Sequence, residues 1–162
     1  MKLTIRHFLI IPVVILLFGM STLAQKKPAK PAVKSDNPKV TALLKRSGYG
    51  HTIFGDNVWT VESGVAAPIL VSYVPEEDII LIFMTVAEKG KFRVTADAMA
   101  DLLKVSGEVL YGKVAWHEDG SIIFRAEWKL KQLDQQTFEV LLVAVLDGYK
   151  QATEKMTPIL VK

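Results

Sequence analysis

Outside the N-terminal apolar segment, two histidines are the residues best suited to acid–base chemistry or metal binding. His51 and His117 stand far apart, and neither belongs to the His-Glu-x-x-His pattern that zinc hydrolases carry on a helix. His117 precedes Glu118 and Asp119 beside a predicted turn, where a histidine is usually solvated. A hydrolase that uses His51 or His117 with an acid is one alternative, and it requires the two histidines to converge in a cleft.

Other arrangements that support catalysis lack their usual context. Ser63 lies in Glu-Ser-Gly, not in the Gly-x-Ser-x-Gly elbow of serine hydrolases. Asp97 and Asp101 are one helical turn apart, but they fit the acidic first turn and the solvated face of a predicted helix. The sequence has no cysteine, which excludes disulfides, thiolate metal sites and a cysteine nucleophile. We therefore predict a non-enzymatic protein with no catalytic residues, no metal site and no cofactor.

Residues 1–24 have the order of a secretory signal peptide. Lys2 and Arg6 give a positive start, an apolar stretch runs from Phe8 to Met20, and small residues precede Gln25. The stretch is shorter than the roughly 20 apolar residues of a membrane-spanning helix. We expect cleavage before Gln25, a periplasmic or secreted location in a bacterial envelope, and no membrane contact after cleavage. The alternative is a signal retained as an anchor.

Residues 25–37 are rich in lysine and proline and have no periodic apolar face, which predicts a solvated linker. The whole chain carries a net charge of +3, but residues 38–162 alone carry −2, since much of the basic charge lies in the signal and the linker. A folded part with negative net charge is unsuited to the phosphate backbone of nucleic acids. The sequence therefore predicts one domain over 38–162 without a nucleic-acid partner.

Capping and turn residues divide this domain into helices and strands. Asn37-Pro38, Thr95 and Asp134 are helix-start signals that precede apolar positions at helical spacing. The predicted helices cover about 38–47, a segment after Thr95, and about 135–155; the predicted strands cover 58–61, 69–74, 78–86 and the two arms of a hairpin over 113–129. The order α-β-β-β-α-β-β-α predicts an α+β two-layer sandwich with an antiparallel five-stranded sheet.

The register of the hairpin follows from its side-chain alternation. A two-residue loop at Asp119-Gly120 would mix apolar and polar residues on each face. A three-residue loop, Glu118-Asp119-Gly120, places Trp116 opposite Ile122 and separates the faces. We predict the three-residue loop, with its glycine in the left-handed conformation. Four aromatic residues at strand spacing are predicted core residues, with a ligand groove as the alternative: Trp59, Trp116, Phe124 and Trp128.

The stretch Tyr111–Glu127, Tyr-Gly-Lys-Val-Ala-Trp-His-Glu-Asp-Gly-Ser-Ile-Ile-Phe-Arg-Ala-Glu, resembles the second hairpin of YbjN-like domains, which share the fold of type III secretion chaperones. The helix end Leu43–Tyr49 and the strand Asp56–Val61 fit the same scheme. The resemblance covers nearly all of 38–162 and rests on pattern and element order. It implies a non-enzymatic domain that binds polypeptide and often dimerises. Secretion chaperones are cytoplasmic and lack signal peptides, so the resemblance supplies no client for this chain.

The third predicted strand, 78–86, is apolar on both faces, and three helices cannot cover both. The face left open should mark a site of association. We assign partner binding to Ile80, Ile82 and Met84, with the opposite set, Ile79, Leu81 and Phe83, as the alternative. The predicted function is an exported protein-binding domain, chaperone-like or regulatory, that holds a protein partner or forms a homodimer. The alternative is a small-molecule or lipid carrier with an apolar pocket between sheet and helices.

Overall fold

The computed structural model describes residues 36–157; the predicted signal peptide and most of the predicted linker lie outside these residues. The described part contains the helices α1 (Pro38–Ser47), α2 (Ala96–Glu108) and α3 (Gln135–Met156) and the strands β1 (His51–Gly55), β2 (Val58–Val61), β3 (Ile69–Val74), β4 (Ile79–Ala87), β5 (Lys113–Trp116) and β6 (Ile122–Lys129). Single 3-10 turns, Pro75–Glu77 and Leu130–Gln132, follow β3 and β6. None of the described helices has the length and apolar character needed to cross a membrane.

The strands form one antiparallel sheet in the order β1-β2-β3-β4-β6-β5. The α+β class is confirmed, but the sheet has six strands in place of the predicted five. The additional strand is β1, an edge strand joined to β2 by a turn in which Asn57 has a φ of 55°. Most β1 side chains are exposed whichever face they point to. The sequence there lacks the apolar–polar alternation by which a half-buried strand is identified.

The β5–β6 hairpin has the predicted register. Trp116 pairs with Ile122 across the two strands. The backbone N–H of His117 donates to the carbonyl of Ser121 at 2.9 Å, which closes a loop of three residues. Gly120 has a φ of 86° in this loop, a conformation that side chains branched at Cβ adopt only under strain.

Trp116, in contrast, is not a core residue. Its side chain is 54% exposed on the edge strand β5 and meets the ring of Phe92 edge-on, with ring centroids 5.8 Å apart. Trp59 and Phe124 are fully buried and Trp128 is half-buried. The prediction failed for Trp116 because alternation determines which face a side chain takes. It does not determine whether a helix covers that position.

The helices lie on one face of the sheet, and α3 packs across the central strands. The side chains of β4 that face α3 are Ile80, Ile82 and Met84, and all three are fully buried. This burial contradicts their assignment to partner binding, because they already contact the protein's own core. The opposite set, Ile79, Leu81 and Phe83, lies on the uncovered face and is half-buried. Both sets are equally apolar, so the strand's own sequence could not choose between them.

Helix α3 lies in close contact with the side chain of Phe124 on β6 at Gly148. A Cβ atom at this position would clash with the ring carbons of Phe124. The aromatic ring therefore occupies the space that a side chain on the helix would need. This contact explains a glycine in the interior of a long helix, where alanine is ordinarily the better residue.

Asp36 and Asn37, which precede the predicted domain boundary at residue 38, are hydrogen-bonded to the domain. The side-chain oxygen of Asn37 accepts the backbone N–H of Lys39 at 3.0 Å and caps α1. The backbone N–H of Asn37 donates to Asn57 Oδ1 at 2.9 Å, and Asp36 Oδ1 accepts the backbone N–H of Asn57 at 3.2 Å. The last two residues of the predicted linker are thus hydrogen-bonded to the β1–β2 turn and belong to the domain.

Candidate binding surface

The uncovered face of the sheet carries a group of large apolar side chains, which we call the open-face row; Ser72, paired with Leu81, is the polar residue among them. Its members come from two neighbouring strands: Leu70 and Val74 from β3 and Ile79, Leu81 and Phe83 from β4. Leu70 pairs with Phe83, and Val74 pairs with Ile79. Each of the five is half-buried, because its neighbours on the sheet shield it in part and no described helix packs over it.

A ladder of charged side chains borders the open-face row on β6 and β5. Arg125 pairs with Phe83 and Glu127 pairs with Leu81, so the charges lie directly beside the apolar residues. Arg125 Nη2 is 2.6 Å from Glu127 Oε1, and Lys113 Nζ is 3.7 Å from the same oxygen. These ion pairs are partly exposed and contribute little to stability. They place opposite charges beside the apolar residues of the row.

His117 lies at the β5 side of the same face. Its imidazole stacks on the Phe83 ring with centroids 5.9 Å apart, and its Nδ1 is 3.1 Å from Asp119 Oδ1. Hydrogen bonds from the hydroxyl and then the backbone N–H of Ser121, followed by the contact with His117, lower the pKa of Asp119 to about 2. Ile123, on the strand between Phe83 and the histidine, is buried. The turn histidine therefore packs against the Phe83 end of the row.

The two histidines do not converge. His51 lies on β1 and His117 follows β5, and these strands are the opposite edges of the sheet. His51 Nδ1 lies 3.2 Å from the carbonyl oxygen of Tyr49. Within residues 36–157, no group of three His, Cys, Asp or Glu side chains is placed to hold a metal ion. The hydrolase alternative thus lacks the convergence that it requires.

The remaining candidate catalytic side chains, Asp97, Asp101 and Ser63, each have a role in the local structure of a helix or a loop. Asp101 Oδ1 accepts a hydrogen bond from Lys104 Nζ at 2.9 Å, and this bond lowers the pKa of Asp101. Asp97 lies in the first turn of α2, as predicted. Ser63 Oγ donates to the carbonyl of Ala67 at 2.6 Å and shapes the loop before β3. None of these residues forms a pair with another catalytic group.

The carrier alternative requires an apolar cavity between the helices and the sheet. An apolar cavity between α2 and β5, lined in part by Leu102, Val114 and Ile122, has a volume of ≈ 80 Å³. Pockets for small molecules usually enclose about 300 Å³ or more. This cavity is too small for the ligand of the carrier alternative.

Two residues of the open-face row, Leu70 and Val74, were not among the predicted site residues. The signal for them is the alternation of β3, in which Ile69 and Val71 face the core. The alternation sets Leu70 and Val74 on the other face, but only the β3–β4 register shows that this is also the face of Leu81. That register depends on the turn at 75–78, whose geometry the sequence leaves open.

No family model and no curated protein matches the sequence. Solved structures do match the described fold. A chain of the heterodimeric ExoU–SpcU complex from the type III secretion system of Pseudomonas aeruginosa is similar with a TM-score of 0.58 and 14% identity, over 72% of this chain and 97% of that chain. A chain of the HopA1–SchA chaperone–effector complex is similar with a TM-score of 0.56 and 11% identity, over 72% and 94%.

YbjN from E. coli is similar with a TM-score of 0.54 and 12% identity, over 76% of this chain and 93% of that chain. The fold is YbjN-like and chaperone-like. The resemblance inferred from the Tyr111–Glu127 hairpin is confirmed at the level of the fold. At these identities the likeness extends to architecture alone.

Proposed function

We propose that this chain is an exported, non-enzymatic protein-binding domain, chaperone-like or regulatory, that holds a protein partner or a second copy of itself through the open-face row. The observation that carries the proposal is the uncovered apolar centre of the sheet, formed by Leu70, Val74, Ile79, Leu81 and Phe83. The signal-like order of residues 1–24 supports export. The similarity to chains of a chaperone–effector complex supports a polypeptide as the ligand.

The energetics of the open-face row favour a large partner. Full burial of one such side chain contributes about 1.5–3 kcal/mol, and less here because each is already half-buried. Several must be buried together to exceed the entropy lost on association. A flat sheet face offers that area to another protein surface, whereas a small molecule would touch only part of it.

The two borders of the row differ, which gives a partner a preferred orientation. On the β6 side lie Arg125 and Glu127, and on the β1 side the hydroxyls of Thr52 and Thr60 are 2.6 Å apart. An apolar centre with a polar rim is the usual anatomy of a protein–protein interface. The charged border adds specificity more than affinity.

A single substitution tests the proposal. Leu81→Lys places a positive charge at the centre of the open-face row. Leu81 pairs with Glu127 on the neighbouring strand, so the carboxylate can pair with the new ammonium group and the fold should be retained. We expect the parent to sediment as a dimer or to retain a partner from the cell envelope, and the variant to sediment as a monomer that retains none. Far-UV circular dichroism should be the same for both.

Ala100→Lys is the matched control, because Ala100 is exposed on α2, on the other side of the domain. This variant should associate as the parent does. The proposed function would be contradicted if Leu81→Lys associated as the parent does. It would also be contradicted if the parent were monomeric and bound no envelope protein.

A further inference from the structure

A second apolar surface lies on the helical layer, away from the open-face row. It is an open groove of ≈ 500 Å³ between the outer side of α3 and the segment Glu108–Tyr111, which leads from α2 to β5. The proposed function does not use this groove.

The floor and walls of the groove are apolar. Val140 and Val143 project outward from α3 and are exposed, although the helix already buries a complete apolar stripe against the sheet. Leu110 in the opposite wall is 85% exposed. The ring of Tyr111 beside it meets the ring of Trp128 edge-on at a centroid distance of 6.2 Å, which anchors this wall to the core. Exposed apolar residues gathered in one groove mark a binding site more strongly than scattered ones.

The rim of the groove is acidic. Glu108, Glu139 and Asp147 are among its lining residues, and none of the side chains that line it in the described part of the chain is basic. Gln135 Nε2 donates to Glu139 Oε1 at 2.7 Å, which holds that carboxylate in place. The nearby cation Lys150 approaches Asp147 Oδ1 only at 4.0 Å. The rim therefore presents negative charge around an apolar floor.

We propose that this groove binds a partner polypeptide segment whose apolar side chains are flanked by lysine or arginine. Val140 and Val143 with Leu110 provide positions for apolar anchors, as in the docking of an amphipathic helix in a groove. The three carboxylates attract the flanking cations and accelerate the encounter at low salt. A second copy of this chain fits poorly, because two-fold pairing through the groove would bring the acidic rims of both copies together.

The proposal is tested on the whole protein with a labelled synthetic peptide of leucine and lysine at helical spacing. Fluorescence anisotropy measures its affinity, and the same peptide with glutamate in place of lysine is the charge control. We expect the leucine–lysine peptide to bind, the leucine–glutamate peptide to bind far more weakly, and added salt to weaken binding through screening.

Three variants locate the site. Val143→Lys removes an apolar contact and opposes the peptide's charge, so it should weaken binding by at least about tenfold, the equivalent of about 1.4 kcal/mol. Leu110→Ser, in the other wall, should weaken it as well; because both side chains are exposed, neither change should unfold the protein. Leu81→Lys on the open-face row should bind like the parent, so this proposal and the proposed function fail separately.

Equal affinity of Val143→Lys and the parent would overturn the proposal, as would equal binding of the two peptides. If Leu81→Lys alone lost peptide binding, the peptide-binding site would lie on the open face of the sheet and not in the groove. A parent that dimerises with increasing concentration, with Val143→Lys remaining monomeric, would show that a second copy occupies the groove instead.

Discussion

Gly148 lies within α3 directly above the ring of Phe124. Gly148→Ala should lower the free energy of unfolding by about 1–3 kcal/mol, because the added methyl group must displace the ring. This loss should exceed the gain of up to about 1 kcal/mol that alanine brings to a helix interior. Urea denaturation followed by circular dichroism measures the difference.

The matched control is Gly107→Ala in α2, where an added Cβ meets no atom within 4 Å. There the same substitution should raise the free energy of unfolding by roughly 0.4–1 kcal/mol, since it restricts the unfolded chain without a clash. If both alanine variants were stabilised to the same extent, the close contact of α3 with Phe124 would not govern the packing.

At the scale of elements, the start of α1 depends on residues that composition assigns to the linker. Asn37→Ala removes the cap that accepts the N–H of Lys39, and should lower the free energy of unfolding by about 1 kcal/mol. Thermal and urea unfolding of the variant measure this. Asp56→Ala in the exposed β1–β2 turn is the control and should change stability by less than about 0.5 kcal/mol. An Asn37→Ala protein as stable as the control would mean that the cap is dispensable.

The elements that sequence predicted well are those whose signals are local. N-caps at Asn37, Thr95 and Asp134 set all three helix starts, and alternation in the hairpin set its register. Strand β1 was not predicted, because an exposed edge strand has no buried face that would produce a periodic pattern of apolar residues. The buried face of β4 was predicted incorrectly for a different reason. Both faces of that strand are apolar, and long-range packing determines which of them a helix covers.

At the scale of the molecule, the two proposed surfaces lie on opposite layers. The open-face row and the α3 groove share no residue, so each can be altered without change to the other. The row could be anticipated from a strand with two apolar faces. The groove could have been anticipated in part from the unbroken apolar run Val140–Leu146, which a one-sided helix does not need.

The predicted signal peptide determines where the mature protein should begin. If it is cleaved as expected, N-terminal sequencing of the exported protein will begin at Gln25, because Thr22 and Ala24 occupy the small-residue positions before the cut. Fractionation should then recover the protein in the soluble periplasm or the medium. Retention of Met1 in a membrane fraction would instead identify an anchored protein.

The strand order of the sheet also determines when each strand can pair with its neighbour as the domain folds. Strand β6 lies between β4 and β5, so one edge of β4 stays without its partner until residues 122–129 have been delivered. A chain synthesised or translocated from its N-terminus therefore passes through a stage in which its most apolar strand is also an unprotected edge, the condition that favours aggregation. A chain interrupted before Ile122 would remain at that stage. Correct folding of the domain thus depends on how quickly residues 122–129 follow the strands that precede them.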